Sequence, residues 1–183
     1  GPSEGGNAGA RDAQDVLIDA ASRPAAAARE LQNKLDPTIL NAHLGGHDNS
    51  IAWLLWHIGR EIDAQLADLS GEPEVWGQFA DRIGLGKAGE AVGYGHTSAQ
   101  AHAIRVEKAG PLLDYLDAAT EALTIYVRNL SDNELGAVID ETWNPPVTRG
   151  VRLVSIIDDA AQHVGQAAYI VGALGRHGQS ALS

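Results

Sequence analysis

Apolar positions recur at helical spacing in four stretches of the chain, separated by polar, glycine-bearing or proline-bearing segments. Over 11–35, Val16, Leu17, Ala20, Ala27 and Leu31 fall near one face and predict a first helix, kinked at Pro24 and stopped at Leu35-Asp36-Pro37. Over 51–69, Ile51, Leu54, Leu55, Ile58, Ile62, Leu66 and Leu69 form a single stripe. Ser70-Gly71-Glu72-Pro73 then supplies the glycine and proline expected just past a helix end. A third helix is predicted over 98–129, with Ile104, Leu112, Tyr115, Leu116, Ala119, Leu123 and Tyr126 inward and a bend at Pro111. Thr97 and Gln100 have the spacing of a capping box at its start. The last helix spans about 149–174, capped by Thr148 and closed by Gly175.

The segments between these helices fix the topology. Residues 73–97 contain Trp76, Phe79 and the run Gly93-Tyr94-Gly95-His96-Thr97, and read as a long connection carrying one short helix. A connection of that length is what parallel neighbouring helices require. Ser131 and Glu134 open a further short turn by the same capping spacing, and Trp143-Asn144-Pro145-Pro146 reads as irregular. The expected fold is all-α, a four-helix bundle with a long crossover connection.

Composition supports helix packing over sheets. Hydrophobic residues make up 44% of the 183, but aromatics are only 4 Trp, 4 Tyr and 1 Phe. The length suits one domain, expected over 11–175, with a tail at 176–183. Residues 1–10 are expected to be a flexible tail whose Gly1-Pro2 is the remnant of a cleaved tag. A formal net charge of -11 repels nucleic acid and anionic membrane surfaces, so neither is an expected partner. No apolar run reaches the ~18 residues of a membrane-spanning helix, and no signal-peptide layout opens the chain. A cytoplasmic location is therefore expected. The absence of Cys excludes disulfides and Cys-ligated zinc, and any nucleophilic thiol must come from another molecule.

Chemistry concentrates on two of the helices. Asp159 and His163 lie four apart on the last helix, one turn from each other on the same face, among apolar Ile156, Ala160, Ala167 and Ile170. A carboxylate and an imidazole in such company must pair, ligate a metal or face a solvated cleft. The spacing alone equally admits a local Asp–His hydrogen bond. His57 sits at the flank of the second helix's stripe, aimed between neighbouring helices, where a satisfied, half-buried histidine is the plainer reading of the position alone. Glu61 follows one turn later on the same flank as a candidate ligand, base or supporting partner, with solvated charge as the plainer reading. Two histidines and a carboxylate would hold a divalent metal with one coordination position open, as catalytic sites do. Zinc, ferrous iron, nickel and manganese all accept such ligands. His96, beside Tyr94, is a further candidate at the bundle mouth, whereas His43, His47, His102 and His177 read as solvent-facing. Arg152 and Trp143 are candidates for a pocket rim. The glycines at 93 and 95 lack a preceding strand, which argues against a phosphate-cradling loop.

Residues 49–58, 93–97, 143–148 and 151–166, taken in order, resemble an actinobacterial branch of the DinB-like superfamily, related to mycothiol-dependent transferases and maleylpyruvate isomerase N-terminal domains. The resemblance covers most of the chain. It implies a four-helix bundle, often dimeric, with a divalent metal held by one histidine of the second helix and two residues one turn apart on the last. His57 and His163 match that pattern. The commonest form of the last motif has histidine at both positions, and Asp159 departs from it while keeping a workable carboxylate ligand.

The function expected on this basis is a metal-dependent thiol S-transferase or thiol-assisted isomerase acting on a small electrophilic molecule. Its ligands would be His57, Asp159 and His163, its cofactors a divalent metal, zinc foremost, and a thiol such as mycothiol. The metal would lower the pKa of the cofactor thiol. Trp53, Trp56, Tyr94 and Arg152 are the candidates to contact cofactor or substrate. Two alternatives stand beside it. One is a hydrolase in which the same metal activates water with Glu61 or His96 as proton acceptor. The other is a non-enzymatic metal-binding or dimeric scaffold.

Overall fold

The structure, a computed structural model, describes residues 11–182, with side chains through residue 175. The expected tail and tag remnant at 1–10 lie outside the described residues, as do the side chain of His177 and Ser183. Four long helices build the bundle: α1 (Asp12–Glu30), α2 (Ile51–Ser70), α3 (Ala109–Arg128) and α4 (Arg149–Leu182). The fold is all-α apart from a small antiparallel hairpin of β1 (Val138–Asp140) and β2 (Val147–Thr148).

Each pair of neighbours runs in a definite sense. Gln14, near the start of α1, donates to the Leu130 carbonyl just past the end of α3 at 3.1 Å, and Arg29 at the far end of α1 pairs with Asp114 near the start of α3 at 2.9 Å. These two helices are antiparallel. Tyr115 in the first half of α3 bonds Asp63 in α2, while Ala122 and Tyr126 lie beside Leu66 and Ser70. Therefore α2 and α3 run parallel, and the long connection over 71–108 is the crossover their topology demands. On the other side of α2, His57 meets His163, and Leu54 shares a groove with Gln166 and Ile170, so α2 and α4 are antiparallel.

Helix α2 is the centre of the bundle. Ser50 caps it by accepting the Trp53 N–H at 3.0 Å, and Gly71 closes it in the left-handed region at φ 74°. From Ile51 to Arg60 every residue is buried, because the core stripe faces α3 and α4 while the crossover covers the opposite face. Its fully buried Leu54, Leu55 and Ile58 belong to one hydrophobic core that also takes in Leu112 and Leu116 of α3 and Leu153 and Ile156 of α4. Truncating such a leucine to alanine costs about 2–5 kcal/mol.

Several expectations are corrected here. The first helix ends at Glu30 and passes into a tighter turn, Gln32–Lys34, rather than running to residue 35. Its apolar stripe coincides only in part with its core face: Leu17 and Leu31 are partly buried against the core, whereas Val16 and Ala27 are exposed. Val16 is 68% exposed, and the residues that pack inward are Ala21, Pro24, Ala25 and Ala28, together with Gln14. Small side chains let α1 approach closely, and the larger ones line a groove beside α4. The predicted third helix is two helices, Ser98–His102 and α3, separated at 103–108. The buried Asn41 side chain accepts the Val106 N–H at 2.9 Å and donates to its carbonyl at 2.7 Å, which occupies that backbone and breaks the helix. Pro111 consequently sits in the first turn of α3, where its missing N–H costs nothing, instead of bending a helix interior. The connection over 71–108 carries the helical turns Trp76–Gln78, Ala80–Ile83 and Gly86–Glu90 before Ser98–His102, more than the one short helix expected. The segment Trp143-Asn144-Pro145-Pro146 is irregular as expected and forms the loop of the short hairpin, whose two strands flank it. Helix α4 continues through Gly175 to Leu182. Both capping boxes, Thr97 with Gln100 and Ser131 with Glu134, are formed.

Candidate metal centre

The antiparallel run of α2 against α4 brings together His57, Asp159 and His163, with one ligand atom from each lying within 4.8 Å of the others. His57 is only 5% exposed, and its environment settles its tautomer. Nδ1 stands 2.6 Å from the carbonyl of Val92, and since a carbonyl can only accept, Nδ1 carries the proton. Nε2 keeps its lone pair for the cluster. Burial holds the His57 imidazole below the ordinary histidine value, with His163 pushing the same way and the Val92 carbonyl opposing. The ring is neutral and ready to ligate at neutral pH.

His163 is arranged by the same rule. Its Nδ1 is 2.7 Å from the Asp159 main-chain carbonyl one turn back, which commits that nitrogen as donor and leaves Nε2 free. The Asp159 carboxylate stands 3.5 Å from Nδ1, beyond the reach of a hydrogen bond. The local Asp–His side-chain bond that the spacing admits is therefore not formed, and the carboxylate is available. The His57 and His163 rings meet edge to face at 4.6 Å, and Trp53 stacks flat on His57 at 4.5 Å, walling one side of the site.

Glu61 lies one turn beyond His57 on α2 and is not part of the cluster. Burial raises its pKa above the usual carboxylate range, and the Asp159 charge adds to the shift, while Gln65 donates to it at 2.9 Å. A carboxyl raised in this way holds its proton more readily than an ordinary surface carboxylate. His96 lies beside the site rather than in the cluster. It stacks on Trp56 at 5.5 Å and its Nδ1 accepts the Trp53 indole N–H at 3.1 Å, so its neutral form presents Nε2–H as a donor.

The family model of the DinB superfamily matches residues 21–167, most of the chain. The chain belongs to the DinB superfamily. Among solved structures, a conserved protein from Enterococcus faecalis is similar at 31% identity and a TM-score of 0.78, covering 86% of this chain and 94% of that one. No curated protein matches the sequence.

The remaining candidates of this DinB protein are dispersed around the centre. Trp56 is fully buried with its indole on the Gly89 carbonyl at 3.1 Å, and Tyr94 is 89% exposed. Arg152 lies two turns before Asp159 on α4 and pairs with Asp140 of the hairpin at 3.4 Å, while Trp143 at the hairpin tip is exposed. His43 and His102 stack on each other at 3.9 Å, and His47 accepts the Asn49 N–H, so none of these joins the cluster. Sequence reasoning missed the backbone that completes the site, Val92 and Gly93. Gly93 has φ +92°, and a Cβ there would stand 2.9 Å from His57 Nδ1 and press on both Trp53 and Trp56. The signal was the glycine run itself, whose purpose is close approach to a histidine and not to a phosphate. No helix among the described residues is long and apolar enough to cross a membrane.

Proposed function

We propose that this DinB protein is a metal-dependent enzyme that transfers a low-molecular-weight thiol, mycothiol foremost, to a small electrophile or uses that thiol to assist an isomerisation. One observation carries the reading. Two imidazoles with Nδ1–H committed to carbonyls and a carboxylate without a hydrogen bond to its imidazole neighbour converge within 4.8 Å, a donor set that fits a divalent ion. Zinc suits two nitrogens and one oxygen, as do nickel, manganese and ferrous iron. When bound, such an ion supplies Lewis acidity that lowers the pKa of a thiol. The chain's own residues do the rest: His57 and His163 are held in the ligating tautomer, Trp53 shields one flank from water, and Glu61 receives the proton that the thiol gives up. With no Cys in the chain, the thiol is supplied from outside. A groove of about 560 Å³ lined by Asn49, Leu54, Gln162, Gln166 and Tyr169, with none of the three candidate ligands in its lining, offers room for a small molecule.

Glu61 also favours a second reading, hydrolysis, in which the proton it accepts comes from water. The proposal extends to a cytoplasmic location and to a homodimer. Val16, Val151 and Val154, exposed at 68%, 53% and 54% beside the α1/α4 groove, form an apolar strip that a second copy would cover, and sedimentation reads this directly. The test of the main reading incubates zinc-loaded protein with mycothiol and a small alkyl halide. Adduct formation that needs both zinc and thiol and falls in Glu61→Gln is expected. Ester cleavage without thiol would favour hydrolysis, and inactivity in both assays, with no metal retained, would leave a scaffold.

A further inference from the structure

We infer that Arg60 is a positioning residue for the metal centre, gripping the crossover so that its backbone dictates which nitrogen of His57 faces the ligand cluster. This rests on the metal-binding reading above. Four successive carbonyls of the crossover are each taken by a side chain of α2: Gly89 by Trp56 at 3.1 Å, Glu90 by Arg60 Nη2 at 2.9 Å, Ala91 by Arg60 Nε at 3.0 Å, and Val92 by His57 Nδ1 at 2.6 Å. The strand of backbone over 89–92 is thus laid along one helix face as a row of acceptors. The last of them is the one that fixes the ligand.

Arg60 supplies the two central contacts and is only 3% exposed. Its remaining nitrogen reaches the Glu74 carboxylate and the Tyr115 hydroxyl, the latter at 3.2 Å. Tyr115 in turn donates to Asp63 at 2.7 Å, and Asp63 accepts the Val75 and Trp76 N–H groups at 2.9 Å each. A planar guanidinium with five donors can span two consecutive carbonyls and a carboxylate together, whereas an ammonium cannot hold that geometry. An arginine needed only to anchor the fold would be satisfied by Glu74 and Tyr115. The contacts to Glu90 and Ala91 are what couple it to the next carbonyl, and hence to a ligand one helical turn away. Without a fixed acceptor at Val92 the neutral His57 ring is free to carry its proton on Nε2, and in that form Nε2 has no lone pair to offer a metal. Gly93 completes the device from the loop side, because a Cβ at this position would stand 2.9 Å from Nδ1 and force the loop away.

The experiment records the imidazole nitrogen shifts of His57 in metal-free, histidine-labelled protein above the histidine titration range, with zinc titrations and urea unfolding on the same samples. Wild type, Arg60→Met, Arg60→Lys and Gly93→Ala are compared. Wild-type His57 is expected as the Nδ1–H tautomer alone. Each variant should show a mixture of tautomers and bind zinc about 10–100-fold more weakly, the loss typical of a removed supporting contact. Arg60→Lys keeps the charge beside Glu74 and should recover much of the unfolding midpoint lost in Arg60→Met without recovering the tautomer, which separates positioning from stability. Gly93→Ala carries the test if Arg60→Met fails to fold. The inference is overturned if folded Arg60→Lys and Gly93→Ala both keep pure Nδ1–H and wild-type zinc affinity. A wild type that binds no zinc would instead overturn the metal reading, and the nitrogen shifts would still decide the role of Arg60.

Discussion

The two helices that supply the candidate metal ligands do so in opposite ways. On α2, His57 is buried, its tautomer is set by a carbonyl, one ring face is covered by Trp53, and the crossover is pinned beside it through Arg60 and Asp63. On α4, Asp159 and His163 are partly exposed, and the hydrogen bond that orients the His163 ring comes from their own helix. The contrast indicates one over-determined wall that sets where a metal would sit and one adaptable wall that sets how strongly, and which, metal is held. It also accounts for Asp159 standing where the resemblance leads one to expect histidine. On the exposed wall a change of donor leaves the packing of the bundle untouched.

The strongest way to break the contrast is on the α2 side. Asp63→Ala removes the acceptor of two backbone N–H groups and of the Tyr115 hydroxyl beside buried Arg60, and is expected to cost about 3–5 kcal/mol in urea unfolding. A loss under about 1 kcal/mol would mean that the crossover is not anchored there. A pH series reads the same wall through His57. In the unfolded chain this residue titrates near about 6.5, while burial holds it lower in the folded protein. Above that range the residue makes stability independent of pH. As pH falls through it, the unfolded chain takes up a proton that the folded protein refuses, so stability declines by at most ~1.4 kcal/mol per pH unit until the folded value is reached. The urea midpoint of wild type minus that of His57→Ala, followed against pH, should show this slope in the metal-free protein.

Predictions on the α4 side concern selectivity more than stability. Asp159→His replaces an oxygen donor by nitrogen and should move preference from manganese toward zinc and nickel by about tenfold, ~1.4 kcal/mol, in competition titrations. Unfolding should hardly change. Gln162→Ala, whose exposed side chain donates to Asp158, should alter stability by less than about 0.5 kcal/mol. A larger cost would show that the exposed wall is as constrained as the buried one.

How much of this was legible in the sequence differs by element. The stripe of α2, both capping boxes and the Asp159/His163 pair were readable because they depend on local spacing. The core face of α1 was readable only in part, because hydrophobicity points to exposed Val16 as much as to Leu17, while close packing selects Ala21, Ala25 and Ala28. The break before α3 was hidden because it is made by Asn41, a residue more than sixty positions away from the carbonyl and N–H it occupies. The backbone contact that orients His57 likewise belongs to a distant segment. Its one local trace was that charged Arg60 and Asp63 share a face of α2 with Trp53 and Trp56, an arrangement a solvated face would not favour.

The most direct test of the centre is calorimetric titration of zinc into metal-free wild type and His163→Ala, with circular dichroism to verify the fold. His163 is partly exposed, so its removal should leave the bundle intact while near-stoichiometric binding by wild type is lost in the variant. Equal binding by both proteins, or no binding by wild type, would contradict a metal centre formed by His57, Asp159 and His163.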